Sequence, residues 1–177
     1  VPNTGFTEAL AFIFQKRDLE LLGFDTERND NTTLDIFWGL YEIMGVALVD
    51  MAVWEWLYAN PEATVEDLKN ATLRIAKETW NKYYEPVLGT KDSPLLAIYS
   101  HMVNSPMYLP NYPLGSIIEY QLESHFAKFN SKQDFANEIK RIYTLGRLTP
   151  QEWMQQAVGA NISTQPILDE VQRIMNK

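Results

Sequence analysis

The chain has 177 residues, 46% of them hydrophobic, which suits one domain with a sizeable core and is a globular rather than a disordered composition. Its formal net charge is −8, from 15 Lys and Arg against 23 Asp and Glu, which argues against nucleic acid or an anionic membrane as the main partner. Cysteine is absent, so disulfides, a thiolate nucleophile and cysteine-type zinc sites are excluded while the compartment stays open.

The first helix is expected from Gly5 to about Leu22, stopped by Gly23 and a polar segment of loop composition from Asp25 to Asn31. Glu8 heads the run Ala9 to Phe14, apolar on every face, so this carboxylate is expected to be partly desolvated. Val1 has neither Met nor a targeting segment ahead of it, and the sequence reads as a fragment of a larger protein. Thr33 can cap a second, mostly buried helix that carries Ile36, Phe37, Leu40, Tyr41, Met44, Ala47, Leu48 and Met51 at helical spacing and ends before Asn60-Pro61. Its apolar run Ile43 to Val49 is bracketed by Glu42 and Asp50 and is too short to span a bilayer.

Thr64 and Asp67 have the spacing of a capping box and open an amphipathic helix that ends at Pro86. Ser93-Pro94 starts a short helix or turn towards Ser100. Pro106, Pro110 and Pro113 exclude a continuous helix from His101 to Pro113, which reads as an ordered, extended connection. Pro113 suits the first turn of the next helix, with Tyr112 just outside it. Helices follow over Lys132 to Tyr143, over Pro150 to about Val158 behind a Thr149 cap, and from Ser163 or Thr164 to the end. No strand alternation or internal repeat is evident. The expectation is a single all-α domain of about seven or eight helices with little or no sheet.

No complete metal motif, nucleophile elbow, P-loop or dinucleotide loop is present, and the only histidines are His101 and His125. From the residues alone, Glu8 reads as a helix-start carboxylate and His101 as a capping or core histidine. Tyr108 and Tyr112 read as core or interface aromatics, and His125, beside Phe126 and Phe129, as a surface or packing histidine. Trp38, Trp54, Trp56, Trp80 and Trp153 read as core. Three glycosylation sequons, at Asn31, Asn70 and Asn161, carry weight only in a secreted eukaryotic protein.

A resemblance carries the reading further. Asn3-Thr4-Gly5-Phe6-Thr7-Glu8-Ala9 resembles the Pro-Gly-Phe-His-Glu-Ala segment of the peptidyl-dipeptidase A family, the angiotensin-converting-enzyme type of gluzincin zinc peptidase. The segment His101 to Tyr112 resembles the family's His-Ile-Pro…Pro-Tyr-x-x-Tyr stretch, with one extra residue between Tyr108 and Tyr112. Ile117-Ile118-Glu119-Tyr120-Gln121 resembles its Ile-Ile-Gln-Phe-Gln helix. Leu145-Gly146, Pro150, Trp153-Met154, Gly159 and Asn161-Ile162-Ser163 resemble its closing motifs, so the ordered set spans nearly the whole chain.

The resemblance implies the C-terminal part of a zinc-dependent peptidase acting on short peptides. Glu8 falls on the third zinc ligand, His101 on a donor to the substrate backbone, Tyr112 on the donor to the oxyanion, and Tyr108 on a position that helps hold the substrate carboxylate. Tyr99 stands where the family has a cation near that carboxylate, Thr7 where it has His, and Phe12 where it has a second-shell Asp. The wider group of helical zinc oligopeptidases fits as well. Zinc is implied for the full-length parent, and none for this fragment, which is expected to be inactive without the His-Glu-x-x-His helix. The implied partners are a peptide substrate and the N-terminal half of the same protein, with self-association through exposed apolar surface and a soluble parent, periplasmic or secreted. The alternative is a non-catalytic helical binding module that keeps the fold without the chemistry.

Overall fold

A computed structural model describes residues 1–23 and 29–177, and these form helices and turns with no strand among them. Nine α-helices occur among the described residues: α1 (Thr4–Leu21), α2 (Asp30–Ala59), α3 (Val65–Tyr83), α4 (Glu85–Leu88), α5 (His101–Asn104), α6 (Asn111–Phe126), α7 (Lys132–Tyr143), α8 (Pro150–Val158) and α9 (Gln165–Met175). A 3₁₀ turn spans Leu95–Ala97. The all-α expectation holds. Within the expected polar segment from Asp25, residues 25–28 lie outside the described residues.

Two helix starts differ from expectation. The second helix begins at Asp30 because Asn29 and Thr32 cap it reciprocally. The Asn29 N–H donates to Thr32 Oγ1 at 2.8 Å, and the Thr32 N–H donates to Asn29 Oδ1 at 3.1 Å. Thr33 therefore sits inside the helix with its side chain fully buried. The segment from His101 to Pro113 is not extended. It folds into α5 and then a chain of tight turns, in which the N–H groups of Tyr108, Asn111 and Tyr112 donate to the carbonyls of Ser105, Tyr108 and Leu109. The prolines do break the helix, but they occupy turn positions that reverse the chain. Tyr112 consequently lies inside the first turn of α6, which opens at Asn111.

Contacts group the chain into two compact units, Val1–Trp38 with Leu114–Lys177, and Gly39–Pro113. The first unit has a core of Phe6, Ala9, Leu10 and Ile13 from α1, Ile118, Leu122 and Phe126 from α6, Ile142 from α7, and Trp153, Met154 and Ala157 from α8. Large side chains of this kind, fully buried, each contribute about 1.5–3 kcal/mol. Phe6 meets Trp153 edge-on at 4.9 Å between ring centroids. Helix α1 passes very close to α6. A Cβ added to Gly115 would lie 2.7 Å from Glu8 Cβ and 3.1 Å from both Ala9 N and Gly5 O.

The ends of the first unit's later helices are fixed by the side chains the sequence supplies. Thr149 and Glu152 form a full capping box at α8, and Ser131 caps α7 through the Asp134 N–H. Gly159, at φ 77°, takes the left-handed conformation that terminates α8. Arg141 of α7 donates to the Gln156 and Ala157 carbonyls at 2.9 and 2.7 Å, satisfying acceptors that the last turn of α8 leaves open.

The second unit packs Val46, Ala47 and Val49 of α2 against Ile75, Ala76 and Trp80 of α3, with Tyr84, Leu96 and Leu109. The Thr64–Asp67 capping box forms as expected. Tyr84 is driven into α2. Its phenol accepts from the Gly45 N–H at 2.8 Å and donates to the Tyr41 carbonyl, the two groups that an α-helix would join directly. Burial pushes the Tyr84 hydroxyl above its ordinary range. By length and composition α2 could cross a membrane, with a mean hydropathy of 1.6 over its best window, although the run Ile43 to Val49 alone could not. Asp50 of this helix is buried within the second unit. Of the five tryptophans only Trp80 and Trp153 are buried, and Trp38 is 47% exposed. The expectation that all five are core is corrected for Trp38, which is partly exposed on α2.

Candidate functional site

Four of the five residues singled out from sequence come together in the second unit. Tyr99 precedes α5, His101 opens it, Tyr108 lies in the turns after it, and Tyr112 lies in the first turn of α6. His101 is the hub. Its ring centroid is 5.3 Å from Tyr99, 5.9 Å from Tyr108 and 6.0 Å from Tyr112, and the two latter tyrosines meet at 5.4 Å. His101 Nε2 and Tyr112 Oη are 3.4 Å apart, with the histidine tautomer deciding which donates. His101 Nδ1 is buried and has no hydrogen-bond partner.

The chain folds this way because the three prolines and the Ser105–Tyr108 turn reverse its direction within a few residues, bringing the aromatics together edge-on or tilted along the return. Ile98, Val103 and Met107, in the same stretch of chain, are exposed at 73%, 87% and 46%. The result is a half-buried imidazole and two half-buried phenols, with polar tips beside an apolar rim.

Glu8 belongs to the first unit. It lies one turn into α1, half-buried, against the close approach of Gly115. Partial desolvation was expected and is present. Thr7 is exposed and Phe12 is half-buried. Catalytic zinc takes three protein ligands. Among the described residues no group of three or more His, Cys, Asp or Glu side chains could hold a metal ion. Among the described residues Glu8 belongs to no such group.

His125 is a packing and hydrogen-bonding residue of the first unit. Its Nε2 lies 2.7 Å from Glu138 Oε1, and its ring packs against Phe126 and Phe129. The Arg141 guanidinium, bonded to both Glu138 oxygens, holds that carboxyl down at about 2, with His125 adding to the effect. The same unit contains an open cavity of about 690 Å³ whose lining includes Lys16, Arg17, Glu123, Phe126, Phe129 and Phe135. Arg17 is already committed there, paired with Glu123 at 2.9 Å and stacked 4.8 Å above the Phe135 ring.

In the sequence Asp50 only brackets an apolar run. It is 1% exposed, on α2, and its Oδ1 accepts from the Met107 N–H at 3.3 Å. Burial pushes its carboxyl above the ordinary range, offset in part by the N–H groups of Met107 and Leu109. An acid set among seven apolar residues was the available signal, since such a residue needs a partner. That partner lies 57 residues further along the chain.

Neither a protein-family model, nor a curated protein, nor a solved structure matches the chain.

Proposed function

We propose that this chain is the C-terminal portion of a helical zinc peptidase acting on short peptides. The observation that supports the reading is the assembly of Tyr99, His101, Tyr108 and Tyr112 into one cluster, although these residues were chosen from sequence motifs alone. In this reading His101 and Tyr112 present adjacent donors to a peptide carbonyl. The Tyr112 phenol donates to the oxyanion that develops there, a hydrogen bond that strengthens as charge accumulates. Tyr108 lies against both rings and limits where the peptide's end can rest. Ile98, Val103 and Met107 offer apolar contact to its side chains. Glu8 contributes one metal ligand, and the remaining ligands belong to a segment outside this chain.

The test starts with the coding sequence upstream of Val1. A His-Glu-x-x-His roughly 20 to 30 residues before Glu8 is expected, and its absence refutes the peptidase. With the motif present, Glu8→Ala in the full-length protein should abolish zinc binding, measured as metal content after dialysis. Stoichiometric zinc in that variant removes Glu8 from the metal site.

A non-catalytic peptide-binding module is the second reading. It is favoured by Thr7 and Phe12, which stand where the family that the chain resembles has His and a second-shell Asp. It predicts peptide binding by the isolated chain with no upstream motif.

A further inference from the structure

The turns that carry Tyr108 and deliver Tyr112 to His101 contain an unfavourable backbone. Ser105, Pro106, Met107 and Tyr108 form a tight turn closed by the Tyr108 N–H donating to the Ser105 carbonyl at 3.1 Å. Pro106 occupies its second position and Met107 its third, at φ 60°. A positive φ at that position ordinarily calls for Gly or Asn, because a Cβ crowds the backbone there. Met107 is neither.

What faces this turn from α2 is Asp50. Its side chain is 1% exposed, Oδ1 accepts from the Met107 N–H at 3.3 Å, and the Leu109 N–H also stabilises the carboxylate. Oδ2 has no hydrogen-bond partner. The contacts Asp50 makes are with backbone, so they fix the path of the chain and do not depend on which side chains the turn carries. Leu109, fully buried, anchors the same stretch from the apolar side. Between the two anchors, Tyr108 has no freedom to leave His101, and Tyr112 follows three residues later.

We propose that Asp50 is the positioning residue of the His101–Tyr112 pair, acting as the buried acceptor that holds Met107 in its left-handed conformation. As a statement about substrate-binding residues, this rests on the peptidase reading above. Asp50 touches neither ring in that role and is not a catalytic residue.

The chain contains only two histidines, so ring-proton NMR resolves a reporter and a control within one sample. His101 reports on the cluster, and His125, hydrogen-bonded with Glu138, reports on the first unit as a control. In Asp50→Ala the nuclear Overhauser contact between the His101 and Tyr112 rings is expected to fall by about fivefold or more. Met107 amide exchange is expected to accelerate by about tenfold or more. The His125 signals and far-ultraviolet dichroism should stay in place. Asp50→Asn, which keeps an acceptor oxygen, restores the contact. An undiminished His101–Tyr112 contact in a folded Asp50→Ala chain overturns the proposal, as does its loss in a folded Asp50→Asn chain. If Asp50→Ala does not fold, the unaltered chain decides. Slow exchange at the Met107 amide supports the acceptor, and exchange at the free-peptide rate overturns it. None of these readouts involves hydrolysis or zinc, so they fail independently of the peptidase reading, which falls with a missing upstream motif.

Discussion

Gly115→Ala puts the closest helix crossing of the first unit to a direct test. The added methyl would sit 2.7 Å from Glu8 Cβ and 3.1 Å from Ala9 N and Gly5 O. Carbon–carbon contacts are comfortable at about 3.5–4.0 Å, so α1 and α6 must part locally by about 1 Å. Two of the three obstructing atoms are backbone, which no rotamer change can move aside. Overpacking of this kind is worth about 1–3 kcal/mol, and separating the helices also weakens contacts along Phe6, Ala9 and Ile118. Against this stands a helix-propensity gain of about 1 kcal/mol for Ala over Gly. The expected net is a destabilisation of about 1–2 kcal/mol. The assay is urea denaturation followed by far-ultraviolet dichroism, with Gly39→Ala as the internal standard. Gly39 is an exposed residue of α2 whose added Cβ meets nothing within 4 Å, so that variant should gain up to about 1 kcal/mol. A Gly115→Ala chain as stable as Gly39→Ala would refute the crossing, and with it the placement of Glu8.

Three further outcomes are expected. Glu138→Gln removes a carboxylate whose folded pKa is about 2 against an ordinary 4.5. The shift amounts to about 3 kcal/mol before screening at the 43%-exposed Arg141, and about 1–2 kcal/mol after it. A depressed pKa contributes stability that is fully present above pH 4.5 and is lost as pH falls through about 2, so the gap between wild type and variant should narrow by roughly half between pH 6 and pH 3. A pH-independent gap in urea midpoints contradicts this. Tyr84→Phe should lose less than about 1.5 kcal/mol, because the orphaned Gly45 N–H and Tyr41 carbonyl can bond each other, whereas Tyr84→Ala should lose about 3–5 kcal/mol. Equal losses in thermal melts would show that α2 cannot close its own ladder. Thr149→Ala should cost about 1 kcal/mol in chemical denaturation, a capping-box value, and no measurable loss would remove that box from the stability of α8.

Local signals in the sequence translated well into structure. Lys132–Tyr143 and Pro150–Val158 were legible to the residue, because Ser131, Thr149 and Glu152 are short-range caps whose partners lie three residues away. The Thr64 box was legible for the same reason. At the second helix the signal was misread. Thr33 is a good capping residue, but Asn29 and Thr32 form a reciprocal pair ahead of it and start the helix earlier. In the 101–113 segment the prolines correctly forbade a helix, but they do not distinguish an extended strand from successive turns. That choice was made by contacts with α2. Within the candidate site, His101 and its tyrosines were legible through motif resemblance. Asp50 was not, because its role exists only when residues far apart in sequence meet.

The insertion of Tyr84 into α2 also bears on how the protein is made. Gly45 is synthesised 39 residues before Tyr84, and Asp50 57 residues before Met107. At ~5–20 residues per second, the most apolar helix of the chain waits ~2–8 s for the phenol that completes its hydrogen bonds, and Asp50 waits somewhat longer for its amide. During that interval α2 has the length and hydropathy of a membrane-spanning segment and a carboxylate without a partner. The contacts that Tyr84 and Met107 make with α2 are therefore made late, by residues downstream of it.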